Sequence, residues 1–161
     1  MNNYISNQSQ QFEGKVIIVT GSTQGSGAET AKLFAARGAK AITICGRQED
    51  KGSQIKKQIE ELGSKCLYVK ADLSKVEDCK KIVELTDKEF GTVNSLVNVA
   101  GYTERGTILS ATLENYEKNF NVNARAPFIL IQEVVKIMIR DKNKGTIANL
   151  YRWQCIVVCH F

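Results

Sequence analysis

Three glycines spaced Gly21-x-x-x-Gly25-x-Gly27 follow an apolar, β-branched run, Val16-Ile17-Ile18-Val19-Thr20. A helical pattern, Ala28 to Arg37, comes directly after them. Strand, glycine-rich turn and helix N-terminus in that order form a site for an anion. Backbone N–H groups and the positive end of the helix dipole converge on one point. Glycine is needed where a side chain would block a phosphate, or would hold the helix away from the strand. Thr20, Gly21, Ser22, Thr23, Gln24, Gly25, Ser26 and Gly27 are therefore candidate contacts to the pyrophosphate of a dinucleotide.

Other residues extend that site. A second apolar run, Ala41–Cys45, ends in Gly46-Arg47 with no acid at its tip. An acid there would accept from a ribose 2′-hydroxyl, whereas Arg47 suits a 2′-phosphate. NADP is thus favoured as cofactor and NAD stays open, since Glu49 and Asp50 are close by; a solvated arginine at a strand end is the plain alternative. Asp72-Leu73 follows a third run, where a carboxylate can accept from an adenine amino group or serve a neighbouring helix cap. In Asn98-Val99-Ala100-Gly101 the small residues let the backbone approach the adenosine side of the cofactor. Asn123 stands four residues before Pro127, which has no N–H to offer the Asn123 carbonyl. That carbonyl is a candidate holder of a water in a proton relay, or simply part of a kinked helix.

The elements that must position these residues alternate along the chain. Strands are expected at Val16–Thr20, Ala41–Cys45, Cys66–Lys70, Ser95–Val99 and Gly145–Leu150. Helices are expected at Gly25–Arg37, Glu49–Leu62, from Ser74 to about Phe90, and from Leu113 to Arg140 with a break near Pro127. Gly38, Gly63 and Gly91 close the first three helices, and Ser74-Lys75-Val76-Glu77 supplies a capping box for the third. Continuous apolar strands joined by helices imply right-handed crossovers and a parallel sheet covered on both faces. The expected class is α/β, a doubly wound parallel sheet.

A chain of 161 residues with 43% hydrophobic and 24% charged residues suits one globular domain. Its net charge of +5 is scattered, with no basic block that would mark a nucleic-acid surface. No run is long enough to span a bilayer. Residues 1–11 are Asn/Gln/Ser-rich without Lys or Arg, so they read as a disordered lead-in rather than a targeting peptide. Cys45, Cys66 and Cys79 lie in apolar patterns and are expected to be buried thiols in a reducing, cytoplasmic setting.

The chain resembles the short-chain dehydrogenase/reductase family. The resemblance rests on Thr20-Gly21-x-x-x-Gly25-x-Gly27, Asp72-Leu73, Asn98-Val99-Ala100-Gly101, Asn121-Val122-Asn123, Pro127-Phe128 and Gly145-Thr146-Ile147-Ala148-Asn149. It runs from about Phe12 to Leu150 and implies a Rossmann sheet in the order 3-2-1-4-5. Ser26 replaces a usual Ile, and Val99 a frequent Asn. The resemblance implies an NAD(P)(H)-dependent oxidoreductase moving a hydride between the nicotinamide and a small carbonyl or secondary alcohol. It also implies that Asn123 joins a Ser, a Tyr and a Lys as the catalytic group.

Agreement stops after Asn149. Arg152 falls at the Ser position, and none of the five tyrosines has a Lys four residues on. Residues 151–161 hold the only Trp, the only His and two of the five cysteines. They read as an aberrant tail, of the kind a shifted frame or retained intron produces. Cys155, Cys159 and His160 are too few for a metal site, so no metal is expected. Residues 12–150 are then a partial Rossmann domain, incomplete at its C-terminal side and expected to be inactive. The strand at Gly145–Leu150 is expected to be an open edge, partly covered at most by Ile156-Val157-Val158. Phe128, Ile129, Ile131, Val134, Val135, Ile137, Met138 and Ile139 are expected to be short of burial. The rival function is a non-catalytic interaction protein, pairing as a homo- or hetero-oligomer with a full-length relative through the Asn123 helix.

Overall fold

A computed structural model describes residues 10–104 and 106–150. The Ile156-Val157-Val158 edge cover, most of the lead-in and the tail all lie outside the described residues. β1 (Val16–Val19), β2 (Ala41–Gly46), β3 (Lys65–Lys70), β4 (Ser95–Asn98) and β5 (Thr146–Asn149) make one five-stranded sheet. Every pairing is parallel and the order is β3-β2-β1-β4-β5, as expected. The helices are α1 (Gly25–Ala36), α2 (Glu49–Glu61), α3 (Val76–Phe90), α4 (Leu113–Phe120) and α5 (Ala126–Arg140).

Two apolar layers sandwich the sheet. Ile17, Val19, Ile42 and Ile44 meet Ala28, Ala31 and Ala35 of α1 and Ile55 and Ile59 of α2. Ile18, Cys45 and Leu96 meet Ile82 and Val83 of α3 and Leu130, Val134 and Ile137 of α5. Alternate residues of β1 thus serve opposite layers, and all four are fully buried. That requirement explains the unbroken β-branched run. Gly38, Gly63 and Gly91 adopt φ of +83°, +94° and +79° just past their helices, where other residues are strained.

Three expectations need correction. Ser74 does not cap α3: the helix begins at Val76, its flanking residue Lys75 makes no side-chain cap bond, and Ser74 donates its hydroxyl to Asp72 Oδ1 at 2.8 Å. The helix starts one residue later than a Ser74 cap requires, and the Ser74 hydroxyl is turned back to the Asp72 carboxylate. The long helix is not merely kinked. Asn121–Arg125 form a π-helical turn in which the Ala126 N–H bonds the Asn121 carbonyl, and Pro127 follows directly at the start of α5. Finally, Val134, Ile137 and Met138 are buried. Ile129 and Ile131 pack on the same core cluster, because α3 lies alongside α5. Phe128 and Ile139 do remain exposed, and β5 is the outer strand among the described residues.

A surface cluster fastens α3 to α5. Arg140 spans both Asp87 oxygens, at 2.7 and 2.9 Å, and also reaches Asp141 and the Gly91 carbonyl. Bonds to Asp87 and Asp141 push the Arg140 pKa up, although exposure to solvent limits what such a cluster adds to stability.

Cys45, Cys66 and Cys79 are buried as expected. Burial pushes Cys45 and Cys66 up to about 12 and Cys79 up to about 11. The folded thiols keep protons that an unfolded chain releases above its ordinary cysteine pKa, so unfolding gains nothing from them below about pH 8.5 and increasingly more above it. Stability is expected to fall as pH rises from about 9 toward 11. Urea titration across that range, with peptide mapping of alkylated thiols, checks both points. Rapid labelling of Cys45 in the native state at neutral pH would contradict the packing.

Candidate functional site

The C-terminal ends of β1, β2, β3 and β4 deliver the candidate residues to one edge of the sheet. Thr20 is the pivot. Almost fully buried, its backbone N–H bonds the Val97 carbonyl. Its hydroxyl oxygen accepts from the Val99 and Ala100 N–H groups at 3.1 and 3.2 Å. Both backbone donors just past β4 are thereby satisfied as the strand ends.

Gly21 follows at φ +62°, and a Cβ there would stand 2.7 Å from the Ala100 Cα. A Cβ on Gly27 would run into the Gly21 carbonyl. These two glycines let turn, helix and β4 close on one another. Ser22 is turned inward and fully buried. Its hydroxyl donates to the Val19 carbonyl at 2.5 Å and accepts from the Cys45 N–H at 3.1 Å, so it stitches the turn to β2.

Gly25 differs in kind. Its φ is +58°, yet a Cβ there would meet nothing within 4 Å. Gln24 precedes it in extended conformation and makes no side-chain cap bond, and no acidic residue stands in the first turn of α1. The leading N–H groups of this helix therefore lack a side-chain acceptor, and the space beside Gly25 is open. An anion fits there.

Two cavities flank the turn. One, of about 320 Å³, is lined by Thr23, Gln24, Arg47 and Gln48. The other, of about 390 Å³, lies between Ser26 and the β4 end, with Asn98, Val99, Ala100 and Gly101 on one wall and Asn123 and Pro127 on another. Thus Arg47 and the Asn98–Gly101 segment do come to the glycine turn. Asp72 and Leu73 line neither cavity. The Asp72 carboxylate accepts from the Ser74 N–H at 3.0 Å and from its hydroxyl, while the Asp78 carboxylate accepts the Asp72 N–H at 2.8 Å. Partial burial pushes the Asp72 pKa up. The Ser74 bonds and the charges of Arg47 and Lys75 outweigh that and hold it below the usual carboxylate range. The local arrangement is the loop-capping one, and Leu73 packs against the core.

The Asn123 side chain meets the loop after β4. Its Oδ1 accepts from the Tyr102 N–H at 2.8 Å and its Nδ2 donates to the Tyr102 carbonyl at 2.7 Å. The π-helical turn thereby holds the loop after β4 by both faces of one peptide unit. Tyr102, Thr103 and Asn149 also line this cavity, and sequence reading had not assigned them to the site. The Tyr102 hydroxyl donates to Glu104 at 2.6 Å, and the Lys118 ammonium lies 4.6 Å from the ring centre. Position immediately after Gly101 was the only signal for Tyr102. Asn98 Nδ2 donates to Asn149 Oδ1 at 2.8 Å, while Asn98 Oδ1 is buried with no partner among the described residues. Those residues hold no cluster of metal-ligating side chains, and none of their helices is long and apolar enough to cross a membrane.

Residues 15–151 match the family model described as short chain dehydrogenase. An uncharacterized oxidoreductase of Thermotoga maritima is 34% identical over 139 residues, covering 86% of this chain and 54% of the relative. A short chain dehydrogenase from Burkholderia cenocepacia, solved in complex with NADP, aligns with a TM-score of 0.77 at 29% identity, over 80% of this chain and 52% of its own. A metagenomic short-chain oxidoreductase, also solved with NADP, aligns with a TM-score of 0.83 at 25% identity, over 90% and 65% of the two chains. The chain spans about half the length of the curated relatives it matches.

Replacing Thr20 by Val keeps its shape and removes the acceptor for two N–H groups. It is expected to cost about 2 kcal/mol of stability, whereas Thr20→Ser stays near the parent. Urea unfolding of both variants checks this; equal losses would show that the methyl group, not the hydroxyl, matters.

Proposed function

The chain belongs to the short-chain dehydrogenase family, and on that premise we propose that the glycine turn holds the pyrophosphate of a nicotinamide dinucleotide. The observation that carries this is the uncapped N-terminus of α1 beside Gly25, where positive φ and open space coincide. Thr23, Gln24, Gly25, Ser26 and Gly27 present backbone to the phosphates, with Thr20, Gly21 and Ser22 setting the turn's shape. Val99, Ala100 and Gly101 flank the adenosine side, and Asn98 fixes the end of β4. Asp72 keeps its assignment near the adenine through the Oδ2 atom, its Oδ1 being occupied by Ser74. Arg47 on the smaller cavity favours NADP over NAD.

The reaction in view is hydride transfer between the nicotinamide and a small carbonyl or secondary alcohol. The bound dinucleotide supplies or accepts the hydride at its nicotinamide ring. This chain's own contribution at the reacting end is Asn123, matching the Asn of the family's catalytic group. Here it positions the Tyr102 peptide and so sets the wall of the larger cavity. One observation favours a second reading, an interaction protein. Leu113, Tyr116 and Phe120 are spaced on one face of α4, and all are more than half exposed, as is Phe128. Co-purification with a longer relative, without dinucleotide binding, distinguishes it.

NADPH is expected to bind saturably, read by its fluorescence. Gly25→Ala is expected to stay folded, losing about 1–2 kcal/mol to the positive φ, and to weaken NADPH by more than about tenfold because the new methyl occupies the phosphate's place. Unchanged affinity in Gly25→Ala would place the dinucleotide elsewhere.

A further inference from the structure

The smaller cavity holds one guanidinium, that of Arg47, and beside it a neutral residue of the glycine turn, Gln24. Gln24 Oε1 accepts a hydrogen bond from Lys51 Nζ at 2.8 Å. Lys51 stands in the first turn of α2, 27 residues away along the chain. The turn thus brings a second positive charge to the cavity rim, borrowed from another helix. An amide accepting through its oxygen keeps two N–H donors to offer an anion.

Among the nearby acids, Asp72 feels the Arg47 charge and has its Oδ1 taken by Ser74. Glu49 pairs through Oε2 with Lys70 Nζ at 3.3 Å on the β3 side. Asp50 shares the first turn of α2 and forms no ion pair among the described residues. Gln24 joins Lys51 to the cavity that Arg47 lines, and Asp50 is the one carboxylate of that turn without an ion pair among the described residues. A phosphate monoester carries close to two negative charges at neutral pH and three acceptor oxygens, and it suits two cations and an amide donor.

We propose that Lys51, steered by Gln24, joins Arg47 in holding the 2′-phosphate of NADP in this cavity, an inference that rests on the dinucleotide reading of the glycine turn. Lys51 is then a selectivity residue and Gln24 a positioning residue. This explains how a turn lacking a basic residue of its own still selects the phosphorylated cofactor.

The test is titration of the chain with NADPH and, separately, NADH. Lys51→Gln is expected to raise the Kd for NADPH roughly tenfold, the loss of one charge-assisted contact, and to leave that for NADH within about twofold. Lys51→Arg should restore most of the affinity. Gln24→Ala should weaken NADPH by about threefold, and the double variant Gln24→Ala/Lys51→Gln should be no weaker than Lys51→Gln alone, since both act through one contact. If Lys51→Gln leaves NADPH unchanged, or weakens both dinucleotides equally, the role of Lys51 is overturned while the dinucleotide site stands. If the parent chain binds neither dinucleotide, the site reading fails and this inference with it.

Discussion

Everything at the site depends on how closely the end of β1 approaches the end of β4. Thr20 gives its hydroxyl oxygen to two backbone N–H groups past β4, and Gly21 lies against Ala100 with no room for a Cβ. Gly27 then lies against the Gly21 carbonyl, which sets how near α1 starts to the sheet. A methyl group at either glycine would move the helix N-terminus outward. The proposed anion site is therefore a product of packing, beside the open space at Gly25.

From that contact the rest follows in order. The parallel pairing of β1 with β2 and β4 puts three strand ends on one edge. Ser22 ties the turn to β2, which carries Arg47 to the smaller cavity. The β4 end carries Gly101 and Tyr102 to the larger one, where Asn123 grips the Tyr102 peptide. A π-helical turn is what aims Asn123 at that peptide while the apolar face of α5 continues onto α3. The two cavities thus lie on either side of one glycine turn.

Much of this was legible in the residues because the signals are local. Apolar β-branched runs fix buried parallel strands, and glycines at the helix ends mark left-handed caps, so most element bounds needed no tertiary information, while the strand order came from the family resemblance. The glycine turn was legible for the same reason. What was not legible depends on contacts across the chain. Ser74 has the form of a capping box, yet Asp72 takes its hydroxyl. Pro127 signals a lost donor but does not say that a π-helical turn precedes it. The burial of Val134 and Met138 depends on α3. Tyr102, and the link from Lys51 to Gln24, join segments that no spacing rule connects.

The most direct measurement is an amide nitrogen–hydrogen correlation spectrum of the chain, recorded with increasing NADPH. The amides of Gly25, Ser26 and Gly27 should shift most, together with those next to Arg47, because the phosphates contact those groups. Shifts confined to α4 and α5, or none at the glycine turn under saturating NADPH, would contradict a dinucleotide site at that helix N-terminus.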